Sequence, residues 1–230
     1  MIRVNVVAEG QSEMFFAKGP LNQYFEGKPN IDSRCVLTSR DARSNYEYRG
    51  GLISYQQAKR DIVAWLKQDP KAYITTMFDF FRLPDSFPEY QNAMSCPNHK
   101  DSVLILEEAM KADIASPRFI PYIQLHEFEA LLFSDIQILK CDYLDPESTK
   151  NIDSLYAATK DIPPEDINYG ENTAPSKRLL AAVDYRKGDT PSEWLAAIGI
   201  LTIRQKCPHF SAWLDKLQSL TNEDPPTHFV

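Results

Sequence analysis

Three apolar runs in this chain end on acids, and that pattern constrains the fold more than any other feature. Segments 1–8, 72–78 and 118–125 are rich in Val, Ile, Phe and Tyr, and they lead directly into Glu9, Asp79 and the pair Glu127 and Glu129. Near-continuous apolar runs of this length read as strands covered on both faces, the pattern of a parallel sheet. A fourth, shorter strand is expected at 35–38. Between the runs lie helical patterns at 11–25, 54–68, 100–112 and 126–133. The first places Phe15, Phe16, Leu21, Tyr24 and Phe25 at apolar positions, with Gly19-Pro20 as a breaker. The second turns Ile62, Val63 and Leu66 inward and stops at Pro70. The third does the same with Val103, Leu104, Leu106 and Met110. Strands alternating with helices predict a parallel sheet joined by right-handed crossovers. Pro121 lacks an N–H, so the strand that contains it is expected at an edge or at a bulge. Segment 39–51 reads as a polar loop.

From 135 onward the apolar spacing supports no strand. Helices are expected near 148–160, 175–185, 191–206 and 208–220, with a polar loop at 163–173. The expected organisation is an α/β core over 1–134, a helical subdomain over 135–222 packed on it, and a loose tail at 223–230.

Composition narrows the setting. Of 230 residues, 43% are hydrophobic, enough to bury a sizeable core. No apolar run approaches the roughly 20 residues that span a bilayer, and segment 1–7 reads as a strand rather than a leader peptide. A cytoplasmic protein is therefore expected. The four cysteines, Cys35, Cys96, Cys141 and Cys207, are widely spaced and read as reduced packing residues. The net charge of −7 argues against a surface devoted to gripping nucleic acid, which needs clustered Lys and Arg. It is compatible with a site made of carboxylates.

In open parallel sheets, ligands bind beyond the carboxyl ends of the strands. Glu9, Asp79, Glu127 and Glu129 all fall there, so four acids distant in sequence are expected to converge on one rim. Mg²⁺ takes oxygen ligands and keeps several waters, so two or three carboxylates suffice to hold it. Each acid also has a plain structural reading. Glu9, Glu127 and Glu129 could serve helix N-termini, where negative charge is favoured, and Asp79 could cap a turn.

Several stretches resemble a known family. Ala8-Glu9-Gly10-Gln11-Ser12-Glu13 looks like the opening motif of TOPRIM domains, in which a strand ends in Glu-Gly before a helix. Further stretches narrow the match: Tyr48-Arg49-Gly50-Gly51, the run from Thr75 to Pro84 centred on Asp79, and the run from Ile123 to Phe133 around His126-Glu127-Phe128-Glu129. Ala174-Pro175-Ser176-Lys177-Arg178-Leu179 and Lys206-Cys207-Pro208-His209-Phe210 are others. Together they resemble a bacterial family called domain of unknown function 4276 (DUF4276), regarded as TOPRIM-related and found near ATPase genes in phage-defence or DNA-processing settings. The resemblance implies a TOPRIM/Rossmann-like, mostly parallel four-stranded sheet. It also implies a nuclease-like site using Mg²⁺ or Mn²⁺, with Glu9, Asp79 and Glu129 as metal ligands and Glu127 beside them. Asp79 matches the first acid of the usual Asp-x-Asp motif, but position 81 is Phe; either Glu127 or Glu129 substitutes for the second, or the domain binds metal weakly or has lost catalysis.

Arg49, Lys177, Arg178 and His126 are the candidate substrate-binding residues, with Arg49 favoured because Gly50-Gly51 suits a close backbone approach. Arg204 and Lys206 are further cations. Tyr46 and Tyr48 could stack on bases. Cys96, His99, Cys207 and His209 offer the donor set of a structural zinc site. No P-loop, GxGxxG or GxSxG pattern is present. The sequence therefore predicts a metal-dependent nuclease acting on DNA or RNA. It is expected to bind nucleic acid weakly alone and to serve as effector of a partner ATPase, with self-association left open. Two alternatives stand beside it: a non-catalytic module that binds the ATPase, and a phosphohydrolase acting on a small phosphate ester.

Overall fold

The computed structural model describes residues 1–41, 46–167, 170, 173–186 and 188–222, with side chains at 38–41, 46–49 and 222 left aside. The fold is α/β. Strand β1 (Arg3–Ala8) is followed by helix α1 (Gln11–Phe16), a π-helical turn at Ala17–Leu21 that accommodates Pro20, and the short α2 (Asn22–Tyr24). The expected break at Gly19-Pro20 thus widens the helix rather than ending it. Next come β2 (Asn30–Cys35), a hairpin of β3 (Leu37–Asp41) and β4 (Tyr46–Arg49), and helix α3 (Tyr55–Gln68). Strand β5 (Ala72–Asp79), helices α4 (Tyr90–Met94) and α5 (His99–Ile114), and strands β6 (Phe119–Ile120) and β7 (Ile123–Gln124) complete the sheet region.

The main sheet is parallel and runs β2-β1-β5-β6, with β7 also pairing β5. Its register puts Ala8 beside Cys35 on one side and beside Met77 on the other, and Asp79 beside Gln124. The ends of β1, β5 and β7 therefore lie at the same edge of the sheet. Pro121 splits the last strand into two two-residue pieces, as expected for a residue that cannot donate to the ladder.

Three expectations are corrected in the first 134 residues. The second strand is 30–35 rather than 35–38. It is an edge strand with alternating burial, and the polar residues Asn30, Asp32 and Arg34 at every second position hid it. The stretch 39–51, expected as a loop, contains an antiparallel hairpin in which Ser39 faces Tyr48 and Asp41 faces Tyr46. Residues 128–134 form a 3-10 helix rather than an α-helix.

Beyond a second 3-10 stretch (Ile136–Cys141), the chain is helical: α6 (Pro146–Thr159), α7 (Pro175–Ala182), α8 (Asp189–Ile198), α9 (Ile200–Lys206) and α10 (Pro208–Ser219). Gly199, at φ +83, divides the expected 191–206 helix into α8 and α9. These helices do not form a core of their own. Val4, Val6 and Met77 of the sheet, Phe16 of α1, and Trp194, Phe210 and Trp213 of the helical half belong to one buried cluster. The opposite sheet face packs Val7, Ile74 and Phe78 against Ile62 and Trp65 of α3 and Leu106 and Met110 of α5. Among the described residues no helix is long and apolar enough to cross a membrane.

One buried cation ties the far end of the sheet. The Arg118 guanidinium donates to the carbonyls of Leu66, Asp69 and Ala72 at 2.6–3.0 Å, closing the end of α3 onto the start of β5. Arg118→Ala strands these carbonyls and leaves a void. It is expected to cost about 3 kcal/mol, read as a loss of roughly 6–12 °C in Tm in a calorimetric or circular-dichroism melt.

Candidate acidic active site

The edge where β1, β5 and β7 end carries a cavity of about 480 Å³ lined by Glu9, Gly10, Gln11, Ser12, Glu13, Gly51, Asp79, Glu127, Glu129 and Gly188. All four acids expected to converge are present in this lining, and Glu13 is a fifth. No Lys, Arg or His is among the described residues that line it.

Backbone groups at strand and helix ends aim the acids. The Glu9 N–H donates to the Met77 carbonyl at 3.0 Å, extending the ladder one residue beyond β1. Its carboxylate accepts from the Asp79 N–H at 3.1 Å and from the Leu52 N–H. The Gly51 N–H donates to the Glu9 carbonyl at 2.9 Å, and Gly50 and Gly51 take φ values of +102 and +83. A side chain there would be strained, so the glycine pair lets this turn close over Glu9. Asp79 accepts from the Phe128 N–H at 2.9 Å, which links strand β5 to the 3-10 helix. Glu13 reaches back one turn to accept from the Gly10 N–H at 3.0 Å, the return half of a capping box.

The helical half supplies the other wall. Glu127 accepts from the Ser176 N–H at 2.8 Å and the Ser176 hydroxyl at 3.0 Å, at the N-terminus of α7. Glu129 accepts from the Tyr185 hydroxyl at 3.2 Å. Gly188 lines the cavity and donates its N–H to Ser12 Oγ at 3.2 Å.

Crowding like charges out of water raises their proton affinity. Burial pushes Glu9 up to about 7, with Glu129 adding to the rise. Burial pushes Glu13 up to about 8, with Glu129 and Glu9 adding. Burial also holds Asp79 well above the ordinary carboxylate range, followed by the charges of Glu13, Glu9, Glu129 and Glu127. Glu9, Glu13 and Asp79 therefore hold protons more readily than ordinary carboxyl groups.

The donor set, all carboxylate oxygen, suits a hard divalent ion. Among the described residues, no three His, Cys, Asp or Glu side chains already surround one point as metal ligands. A hydrated Mg²⁺ needs only one or two direct carboxylates. Glu9 and Asp79 meet that need in kind, because the Glu9 carboxylate lies against the Asp79 backbone.

The candidate substrate-binding residues are not brought together. His126, at φ +63, does not line the cavity. Its ring stands edge-on to His99 at 5.5 Å, and burial lowers its pKa to about 4, with His99 contributing. Lys177 is exposed on α7, and Arg178 donates to the Thr173 carbonyl at 2.7 Å, away from the acids. The side chains of Arg49, Tyr46 and Tyr48 lie outside the described residues. Arg204 donates to Tyr24 at 2.7 Å and pairs with Asp215, and Lys206 donates to the Ser134 carbonyl at 2.7 Å. The zinc donor set also disperses. Cys207 lies 3.5 Å from Ser134 Oγ, and Cys96 lies against the Asn92 carbonyl at 3.8 Å. His209 lies 3.0 Å from Glu107, and His99 packs against Phe80.

Position 81, where the second acid of Asp-x-Asp would stand, carries a Phe whose N–H donates to the His126 carbonyl at 2.8 Å. Glu127 and Glu129 instead bring their carboxylates to the same cavity as Asp79. Sequence reasoning missed Glu13, although its spacing of four from Glu9 across a helix start was a usable signal. It also missed Ser176, Tyr185 and Gly188, which carry no sequence signal linking them to the acids.

No curated protein and no solved structure matches the chain. The family model described as "Domain of unknown function (DUF4276)" matches residues 8–218, a span that contains every residue lining the acidic cavity. By that match the chain belongs to the DUF4276 family.

Proposed function

We propose that the acidic cavity is the active site of a TOPRIM-like, Mg²⁺- or Mn²⁺-dependent phosphodiesterase that cleaves DNA or RNA, working as the effector of a partner ATPase in bacterial defence or DNA processing. The observation that carries this reading is the meeting of five carboxylates at the carboxyl edge of a parallel sheet, with no basic side chain in the described lining. Such a concentration of like charge is costly unless protons or a cation compensate it. A bound divalent ion supplies a water of lowered pKa and neutralises phosphate charge. Glu9 and Asp79 hold that ion from adjacent strand ends. Glu127 and Glu129 are fixed from the opposite wall by Ser176 and Tyr185. Glu13, with its raised proton affinity, is the group best placed to hold or release a proton at neutral pH. Plasmid nicking with Mg²⁺ or Mn²⁺, by the chain alone and with the partner ATPase, tests this. Absence of cleavage in every combination rejects it.

A second reading has its own support. A cavity of about 480 Å³ falls within the range of small-molecule pockets, so a small phosphate ester is a competing substrate. Metal-stimulated hydrolysis of p-nitrophenyl phosphate, without nicking, would favour it.

A further inference from the structure

Away from the cavity, the outward side of α3 carries a stripe that no function above has absorbed. Gln56, Lys59, Arg60, Val63, Ala64 and Lys67 recur at helical spacing and border a shallow, open depression of about 740 Å³ whose floor is mostly apolar and whose charged groups are Lys59, Arg60 and Lys67. In a chain of net charge −7, this stripe holds three cations and no acid. Lys59 is paired with Asp113 at 2.8 Å. Arg60 and Lys67 are exposed, and no carboxylate among the described residues pairs with either.

The stripe is continuous with the acidic site through its own element. Gly51 lines the cavity, the Leu52 N–H bonds the Glu9 carboxylate, and Ser54 caps α3. The helix then leads away from the rim. At about 1.5 Å per residue, Arg60 stands roughly 9 Å and Lys67 roughly 20 Å along the axis from Ser54. The cavity repels phosphate when empty of cations, so a polymer must be held by charge elsewhere. One nucleic-acid strand carries a phosphate every ~3.4 Å of duplex axis, so the interval between Arg60 and Lys67 covers about three of them.

We propose that the outer face of α3 is a docking strip for the sugar–phosphate backbone of a nucleic acid, which it leads toward the acidic cavity. The purpose of the docked strand rests on the phosphodiesterase reading; its binding does not. The strip also gives this chain a grip of its own, which the overall charge alone did not suggest.

Fluorescence anisotropy with labelled DNA and RNA oligonucleotides, in EDTA and at graded salt, tests this on the full chain. The exposed pair Arg60→Gln/Lys67→Gln is expected to weaken binding about tenfold and to flatten the slope of log affinity against log salt by about two. Unchanged affinity and slope in the double variant would overturn the proposal. So would absence of binding by the unaltered chain at low salt. Poly-glutamate binding the unaltered chain as tightly as the oligonucleotides, with the same loss in the variant, would assign the strip to an acidic protein instead and also overturn it. EDTA makes the anisotropy assay read binding alone; binding that depends on α3, with no cleavage when Mg²⁺ or Mn²⁺ is then added to the chain alone or with the partner ATPase, would sink the phosphodiesterase reading alone.

Discussion

Glu9→Gln and Asp79→Asn are each expected to lower metal-stimulated nicking by a hundredfold or more while leaving the chain folded and, at alkaline pH, slightly more stable. Each change keeps the shape of the side chain and an acceptor oxygen for the N–H that holds it, from Asp79 in one case and Phe128 in the other. What is removed is one negative charge from a crowded set. On the functional side, loss of a direct carboxylate weakens hold on the ion and removes the electrostatic support that ion gives to phosphate cleavage, an effect of several kcal/mol. On the stability side, the same loss relieves repulsion once the set is ionised, so Tm without metal is expected to rise by a few degrees at pH 9. A paired nicking assay and thermal melt reads both. Cleavage that survives both substitutions would detach the acidic cavity from the chemistry. Lost cleavage with a lowered Tm would mean that the acids serve the fold.

The second large effect is in pH. Glu9 and Glu13 have folded-state proton affinities above the ordinary value, at about 7 and about 8. The folded chain therefore binds these protons more tightly than the unfolded chain does. The stability they allow is fully present below the ordinary carboxylate range and is lost as pH rises through 7 and 8. A tenfold change in proton affinity corresponds to about 1.4 kcal/mol, and the two groups act together. Between pH 6 and 9, a loss of about 4 kcal/mol is expected, or roughly 8–16 °C in Tm. Millimolar Mn²⁺ should restore much of that loss at pH 9 and little at pH 6, because it competes with protons for the same oxygens. Glu13→Gln should flatten the metal-free curve. A melt that is level across this window in the unaltered chain would show that the cavity is wetter and less crowded than described.

The convergence of the acids was legible because it follows from strand ends. An apolar run that stops at Glu9, and another that stops at Asp79, place both acids at the same edge once the strands are parallel and in register. The same logic reached Glu127 and Glu129 past the last strand. It failed where polarity hides structure. Strand β2 alternates polar and apolar residues because it is an edge, and in the β3–β4 hairpin the strand formers Leu37, Thr38, Tyr46 and Tyr48 are diluted by Ser39, Arg40, Asp41, Glu47 and Arg49. It also failed for Glu13, which is buried and reaches the cavity lining only through the tertiary fold. The donors Ser176 and Tyr185 lie 49 and 56 residues from the acids they bond, so no local pattern could pair them. Lys177 and Arg178 do not line the cavity, because an Arg or Lys near a motif in sequence can point to any side of the element that carries it; the Arg49 side chain lies outside the described residues.

The single buried cluster shared by the sheet and the helical half sets a limit on how this protein can be cut or recombined. A fragment ending near Ser134 would leave Val4, Val6, Met77, Phe16 and Phe128 open to water and would lose the donors that hold Glu127 and Glu129. The acid-bearing sheet is thus not a cassette that evolution or an engineer can graft alone onto another scaffold. Any fusion to a partner enzyme has to carry both halves as one indivisible unit.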